Sequence, residues 1–169
     1  MKDRAYHEAG HTIAARELGM PVELTTIEES VNLQFATKSL RLKDCFDEDE
    51  LLLGSLRRKD GYPLRRRDYR LFYSILIVKV AGYIAVLKAG YRTYETHSHY
   101  EEDRALALNV LNHLKGERAN RYYERIWAIA ERILTARWND VADLAQRLIE
   151  EKTIHFDESV DTSMEADVG

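Results

Sequence analysis

The stretch AYHEAGHTIAARELG, residues 5–19, places two histidines and a glutamate on a segment that reads as a helix. We predict this helix over residues 3–18, because Gly19 provides a C-terminal stop and Pro21 follows it. In a helix, positions i and i+4 lie one turn apart on the same face. The two histidine rings are therefore expected to point at a common site.

The motif within this helix predicts a metal centre. Zinc binds neutral imidazole, so His7 and His11 are candidate ligands. Glu8 is expected to be the general base, because zinc lowers the pKa of water towards about 7 and a nearby carboxylate can then take the proton. The small residues Ala9 and Gly10 would allow another element to pack closely. The alternative is a surface helix whose histidines are only solvated.

The rest of the chain predicts a mainly α fold. Alternating polar and apolar residues from Val22 onward indicate one or two short strands, so a small edge β-sheet should follow the first helix. A helix is predicted to start at Asp47 and to end before the turn KDGYP. Another helix is predicted to be capped by Ser98, because Glu101 follows three positions later. The other predicted helices share apolar periodicity and cover residues 66–89, 98–114, 117–136 and 139–152, the last two forming a hairpin.

Composition sets limits on function. We expect one domain over residues 1–156 and a frayed acidic tail over 157–169. The net charge of −4 is too small to indicate a nucleic-acid or membrane partner on its own. The basic run at 57–70 is interpreted as a solvated turn and helix entry, and the alternative is a surface that binds nucleic acid or acidic lipid. The lone Cys45 fits a reducing cytoplasm. The apolar stretch 71–87 is shorter than the roughly 20 residues that span a bilayer, so it is predicted to be a buried helix.

A third metal ligand must come from elsewhere in the chain. The longer motif with a third histidine ten residues after the first is absent, because Glu17 occupies that position. Spacing alone leaves seven candidates open: Glu28, Glu29, His97, His99, Glu101, Glu102 and Asp103.

Three segments resemble the peptidase domain of the FtsH-type ATP-dependent zinc metallopeptidases. These are AYHEAGHTIAA at the motif, DYRLFYSILIVKVAGYIAVLKAG at 68–90 and ILTARWNDVADLAQRLIEEKTI at 133–154. The resemblance implies a helical zincin-like domain that binds Zn²⁺ and cleaves unfolded or extended polypeptides. It also places the third ligand on Asp103, because EEDRALA at 101–107 is similar to the family's Asn-Asp-Leu-x-x-Ala segment. For Asp103 the alternative is a carboxylate that only complements the helix dipole.

The chain also departs from this family. Tyr100 replaces a small Gly-Ala pair, and residues 40–66 look diverged, which concerns substrate specificity more than the metal. No G-x-x-x-x-G-K-[ST] occurs, so we expect no ATP hydrolysis by this chain. The chain would be either an excised or a free-standing peptidase domain. It would act on polypeptides that are already unfolded, or on polypeptides that a separate AAA-type ATPase partner unfolds. Because the family forms rings, a homo-oligomer is also possible. The alternative is a catalytically degenerate peptidase fold that serves as a binding or assembly module.

The segment VELTTI, residues 22–27, is the predicted site for extended peptides. A strand edge binds such chains through main-chain hydrogen bonds. The candidate residues are Val22, Leu24, Thr26 and Ile27. The alternative is an ordinary core strand.

Overall fold

Helices make up most of the chain, as predicted. The computed structural model describes residues 1–28, 66–91 and 94–156. Five helices share this part of the chain: α1 Lys2–Glu17, α2 Arg66–Lys88, α3 Tyr94–Lys115, α4 Ala119–Ala136 and α5 Trp138–Glu151. A 3₁₀ turn, Gly116–Arg118, joins α3 to α4. Two short strands, β1 Leu24–Thr26 and β2 Thr153–His155, form an antiparallel sheet. The predicted mainly helical fold with a small sheet is confirmed. Strand β1 follows the first helix as predicted, whereas its partner β2 follows the last helix.

Several predicted features lie outside the described residues. They are the second strand after residue 28, the helix start at Asp47, Cys45, the KDGYP turn, residues 57–65 of the basic run and the tail 157–169. The proposed domain boundary at residue 156 therefore stays a prediction.

The α1–α2 pair forms the centre of the fold. The two helices approach closely at Gly10, where a Cβ atom would lie 2.6 Å from Ala85 Cβ and 2.8 Å from the Ala81 carbonyl oxygen. Ala9 is fully buried beside this contact. The prediction that the small residues of the motif admit a neighbouring element is confirmed, and that element is α2.

Helix α2 contributes many of the core side chains, among them Phe72, Leu76, Val80 and Ile84. Its segment Tyr69–Lys88 is long and apolar enough to cross a membrane, so the sequence argument from insufficient length was wrong. More than half of that segment is buried inside the protein. Core helices of soluble proteins pass the same length and composition test, and the observed burial agrees with the predicted core position.

The two C-terminal helices differ from the predicted hairpin. Their apolar faces are buried as expected, with Ile126 and Leu134 on α4 and Val141 and Leu148 on α5. However, α4 packs mainly on α2, whereas α5 packs mainly on α1, and the two helices have few contacts with each other. Only Arg137 lies between α4 and α5, which is too short a connection for two helices to pack antiparallel along their length.

Helix α3 begins earlier than predicted. Its first residue is Tyr94, four positions before the expected cap at Ser98, so the cap prediction was wrong. The Ser-x-x-Glu pattern occurs here inside a helix. Asp103 is consequently the tenth residue of α3 and lies well beyond the first turn, where the helix dipole acts most strongly. The interpretation of Asp103 as a helix-dipole carboxylate loses its basis.

Candidate metal centre

The two histidines of the motif meet on one face of α1. The Nε2 atoms of His7 and His11 are 2.8 Å apart, and the ring planes are almost perpendicular at 89°. His11 is buried, with 4% of its surface exposed. The one-turn spacing therefore brings both ring nitrogens to one place, as the sequence predicts.

The protonation state of His11 is determined by α2. Its Nδ1 atom lies 2.6 Å from the Val78 carbonyl oxygen, which only accepts, so Nδ1 carries the hydrogen and donates it. Burial lowers the pKa of His11 to about 3, and the positive charge of Lys79 acts in the same direction. The ring is thus neutral at pH 7, and its Nε2 lone pair accepts a hydrogen bond from Nε2 of His7, a place that a metal ion could take instead.

Gly82 makes room for this ring. A Cβ atom at this position would lie 2.5 Å from Nε2 of His11 and 2.6 Å from Cε1, far inside van der Waals contact. Any side chain at position 82 would therefore displace the ligand. A glycine in the middle of an apolar helix costs stability relative to alanine, and its packing against His11 supplies the reason.

Asp103 on α3 brings a carboxylate to the two imidazoles. Its Oδ2 atom is 3.8 Å from Nε2 of His7 and 3.9 Å from Nε2 of His11. Its other oxygen, Oδ1, is 3.3 Å from Nζ of Lys79 on α2. Within the described residues, these three side chains form a group whose ligand atoms could hold one metal ion.

The remaining third-ligand candidates are placed differently. Glu28 is exposed and reaches the Thr153 hydroxyl, 3.4 Å away at the sheet. Glu29 and the side chains of His97, His99, Glu101 and Glu102 lie outside the part of the chain that the structure describes. Asp103, the residue implied by the family resemblance, is the candidate that lies beside His7 and His11.

The spacing of the three ligand atoms can be compared with zinc chemistry. The Nε2, Nε2 and Oδ2 atoms form a triangle with sides of 2.8, 3.8 and 3.9 Å. The circle through its corners has a radius of about 2.1 Å, and zinc binds imidazole nitrogen at about 2.0–2.1 Å and carboxylate oxygen at about 2.0–2.2 Å. A point at bonding distance from all three atoms therefore exists, and two imidazoles with one carboxylate are a known donor set for zinc.

Glu8 lies beside this group and is partly buried. Burial raises the pKa of its carboxyl group to about 7, and the negative charge of Asp103 adds to this effect. The positive charges of Arg4 and Lys79 act in the opposite direction. A carboxyl group with such a pKa can accept and release a proton near neutral pH.

The β-sheet is anchored to α1 next to this site. Thr12 donates its hydroxyl hydrogen to the Glu8 carbonyl oxygen at 2.9 Å, and its oxygen lies 2.6 Å from the Thr25 hydroxyl. Because Thr12 has already used its only hydroxyl hydrogen, Thr25 is the donor in this second bond. The pair of threonines fixes β1 one helical turn from Glu8.

The main-chain groups of β1 alternate between two edges. The sheet bonds run from Ile27 N–H to Lys152 O at 2.9 Å and from Phe156 N–H to Glu23 O at 2.7 Å. By the antiparallel alternation, the main-chain groups of Leu24 and Thr26 point to the opposite edge. No strand pairs with that edge among the described residues.

The four predicted peptide-binding residues therefore fall into two groups. Leu24 and Thr26 offer main-chain groups at the outer edge. The N–H group of Ile27 already donates to Lys152, and Val22, Thr26 and Ile27 are all buried. The Thr26 hydroxyl is 2.7 Å from that of Thr153, across the sheet.

Sequence reasoning missed three residues of α2 that shape the site: Val78, Lys79 and Gly82. The sequence does contain a signal for two of them, because Lys79 is the one charged residue and Gly82 the one glycine of the apolar stretch 71–87, and both need a structural reason. Val78 acts through its backbone and leaves no such signal.

Compared with known protein-family profiles and with curated proteins, the chain gives no match. The resemblance to FtsH-type peptidases therefore stays a prediction that depends on the quoted motifs.

Proposed function

We propose that this chain is a zinc-dependent metalloendopeptidase domain that cleaves unfolded or extended polypeptides, with a zincin-like fold similar to the FtsH-type peptidase domain. One observation carries the proposal. His7, His11 and Asp103 place three donor atoms on a circle of about 2.1 Å radius, close to the bond lengths of zinc. Glu8, one residue from the first of these ligands, completes the set of groups that peptide hydrolysis needs.

The residues have separate roles in this proposal. Zinc, when bound, supplies a Lewis acid that polarises a carbonyl and acidifies water. His11 offers its Nε2 lone pair because the Val78 carbonyl fixes its tautomer. Glu8 takes a proton from the attacking water and passes it to the departing amine. Its partial burial favours this role, since a carboxylate in a drier site is a stronger base.

The outer edge of β1 is the proposed place for the substrate. An extended peptide beside Leu24–Thr26 would exchange main-chain hydrogen bonds with Leu24 and Thr26. Such bonds read little of the peptide's sequence, so cleavage should depend more on unfolding than on a motif. The Thr12–Thr25 contact would hold that peptide at a fixed distance from Glu8.

The proposal extends to the setting of the enzyme. Since G-x-x-x-x-G-K-[ST] is absent, a separate AAA-type ATPase would supply unfolded chains, or the substrate would arrive already unfolded. We also propose a cytoplasmic location, because the lone Cys45 fits a reducing compartment, and homo-oligomer formation, because the FtsH-type family forms rings.

The test combines metal analysis with cleavage of an unfolded substrate such as casein, with and without chelator. The expected result is about one zinc per chain and cleavage that chelator abolishes. Glu8→Gln should keep the zinc and lose about 10²–10⁴-fold in kcat. Glu17→Gln is the matched control, because Glu17 lies on the same helix but pairs with Arg137 at 3.7 Å, away from the site.

The outcomes separate the alternatives. A chain without zinc, or a Glu8→Gln variant that still cleaves casein, would contradict the assigned roles. Zinc binding without any cleavage by the wild type would instead identify a degenerate peptidase fold used as a binding module.

A further inference from the structure

Lys79 is a charged residue in the most apolar helix of the protein, and its position is informative. Its Nζ atom lies 3.3 Å from Oδ1 of Asp103, where the side chains of Lys79 and Asp103 are 34% and 15% exposed. Lys79 is the one charged residue of the apolar stretch 71–87. Here it is paired with the carboxylate that also faces the two imidazoles.

The two oxygens of Asp103 have different neighbours. Oδ2 faces Nε2 of His7 and of His11, at 3.8 and 3.9 Å. Oδ1 faces the ammonium group of Lys79. A carboxylate can bind a cation through one oxygen or through both. With Oδ1 engaged by an ammonium group, only Oδ2 is available to an ion between the histidines.

The geometry points to Lys79 as a positioning residue that restricts Asp103 to a single oxygen ligand. This inference rests on the proposed function. The protein then supplies three donor atoms, and coordination positions remain for water and for the peptide carbonyl. Without Lys79, the carboxylate is free to turn both oxygens towards the ion and to fill a position that the substrate needs.

The choice of lysine over arginine follows from the same geometry. An ammonium group is a compact point charge that can bind one carboxylate oxygen. A guanidinium group presents a planar fork that matches both oxygens of a carboxylate. Arginine at position 79 should therefore compete with the metal for Oδ2. Although the substitution keeps the positive charge, we expect it to weaken metal binding.

The experiment uses the full chain loaded with Co²⁺ in place of zinc, because the visible absorption of Co²⁺ weakens as its coordination number increases. Lys79→Met removes the charge and keeps a side chain of similar length. Lys79→Arg tests whether a guanidinium group binds both oxygens of Asp103. Lys88→Met is the control, since it removes a positive charge from the same helix at an exposed residue that reaches Thr135 and the ring of Trp138, and not Asp103.

The expected results differ between the variants. Lys79→Met should keep Co²⁺ but show an absorption weaker by about twofold or more, as a second oxygen joins the ion. Its zinc-loaded form should lose about 10–100-fold in kcat/KM, because the second oxygen occupies a position that the substrate needs. Lys79→Arg should bind metal about 10-fold more weakly in a chelator competition. The control should match the wild type in all three measurements.

The possible failures are distinguishable. An unchanged Co²⁺ spectrum in Lys79→Met would overturn the positioning role, whatever happens to activity. Metal binding by Lys79→Arg at wild-type strength would overturn it as well. If the wild type itself gives no Co²⁺ spectrum, the proposed metal centre fails and this inference fails with it.

Discussion

Replacing Gly82 with alanine would test whether α2 shapes the metal centre. The added Cβ would lie 2.5 Å from Nε2 of His11, whereas ordinary contacts begin at 3.4 Å. The ring must therefore move by about 0.9 Å, the difference between these distances. Ligating groups need to stay within about 0.5 Å of their productive positions. We expect zinc affinity to fall by about 10–100-fold or more.

Gly82→Ala should also destabilise the metal-free fold. Overpacking costs about 1–3 kcal/mol, and losing the His11–Val78 hydrogen bond costs about 0.5–1.5 kcal/mol. Alanine recovers about 1 kcal/mol through its higher helix propensity. The free energy of unfolding of the metal-free protein should consequently fall by about 1–3 kcal/mol.

Gly10→Ala is the matched control for this prediction. It adds the same methyl group to the same helix pair, but the new Cβ meets Ala85 Cβ and the Ala81 carbonyl oxygen in place of a ligand. We expect it to destabilise the metal-free fold at least as much, because backbone atoms cannot rotate away. Chelator competition gives the zinc affinity, and urea unfolding gives the stability. A Gly82→Ala variant that binds zinc within threefold of wild type would refute the reasoning.

Two further predictions concern hydrogen bonding and pH. Thr12→Val should lower the free energy of unfolding by about 1–3 kcal/mol, since it leaves the buried Thr25 hydroxyl without an acceptor, whereas Thr25→Val should cost only about 0.5–1.5 kcal/mol. Equal losses in urea unfolding would contradict this asymmetry. Burial lowers the pKa of His11 from 6.5 to about 3 and raises the pKa of Glu8 from 4.5 to about 7. As the pH of the metal-free protein falls from 6.5 to 4.5, His11 therefore lowers the free energy of unfolding, because the unfolded chain takes up its proton first. Glu8 raises the free energy of unfolding over the same range, because the folded chain takes up its proton first. Glu8→Gln removes the gain and should therefore lose stability from pH 6.5 downward, more steeply than wild type; parallel stability curves for the two proteins would show that Glu8 is not perturbed.

The local features of α1 could be predicted from its own residues. The motif fixes the spacing of its histidines, and the small side chain of Gly10 predicts a close neighbour. These inferences depend only on helical periodicity. The same holds for the buried faces of α4 and α5, whose apolar spacing is regular.

Other features depend on contacts between distant segments. The bond from His11 to Val78 joins residues 67 positions apart, and its existence depends on how α1 lies across α2. No periodicity in either helix contains that information. Likewise, β2 follows α5 directly and is three residues long, so its pairing with β1 leaves almost no local signal.

The error at Ser98 has a different cause. Ser-x-x-Glu favours a helix start, but the residues before it continue the helix, and α3 begins at Tyr94. A local preference of about 1 kcal/mol is easily outweighed by tertiary packing over several turns. The earlier start places Asp103 in the middle of α3, so its position beside the histidines depends on the packing of α3 against α2 and α4 and not on a helix end.

The β1–β2 pairing has a consequence for the order of folding. Thr26 and Lys152 are in contact although 126 positions separate them, and closing so long a loop is slow compared with forming helices. We expect this sheet to assemble after the helices have docked. Under the proposed function, a chain whose sheet has not yet closed would lack the strand edge that is proposed to hold the substrate.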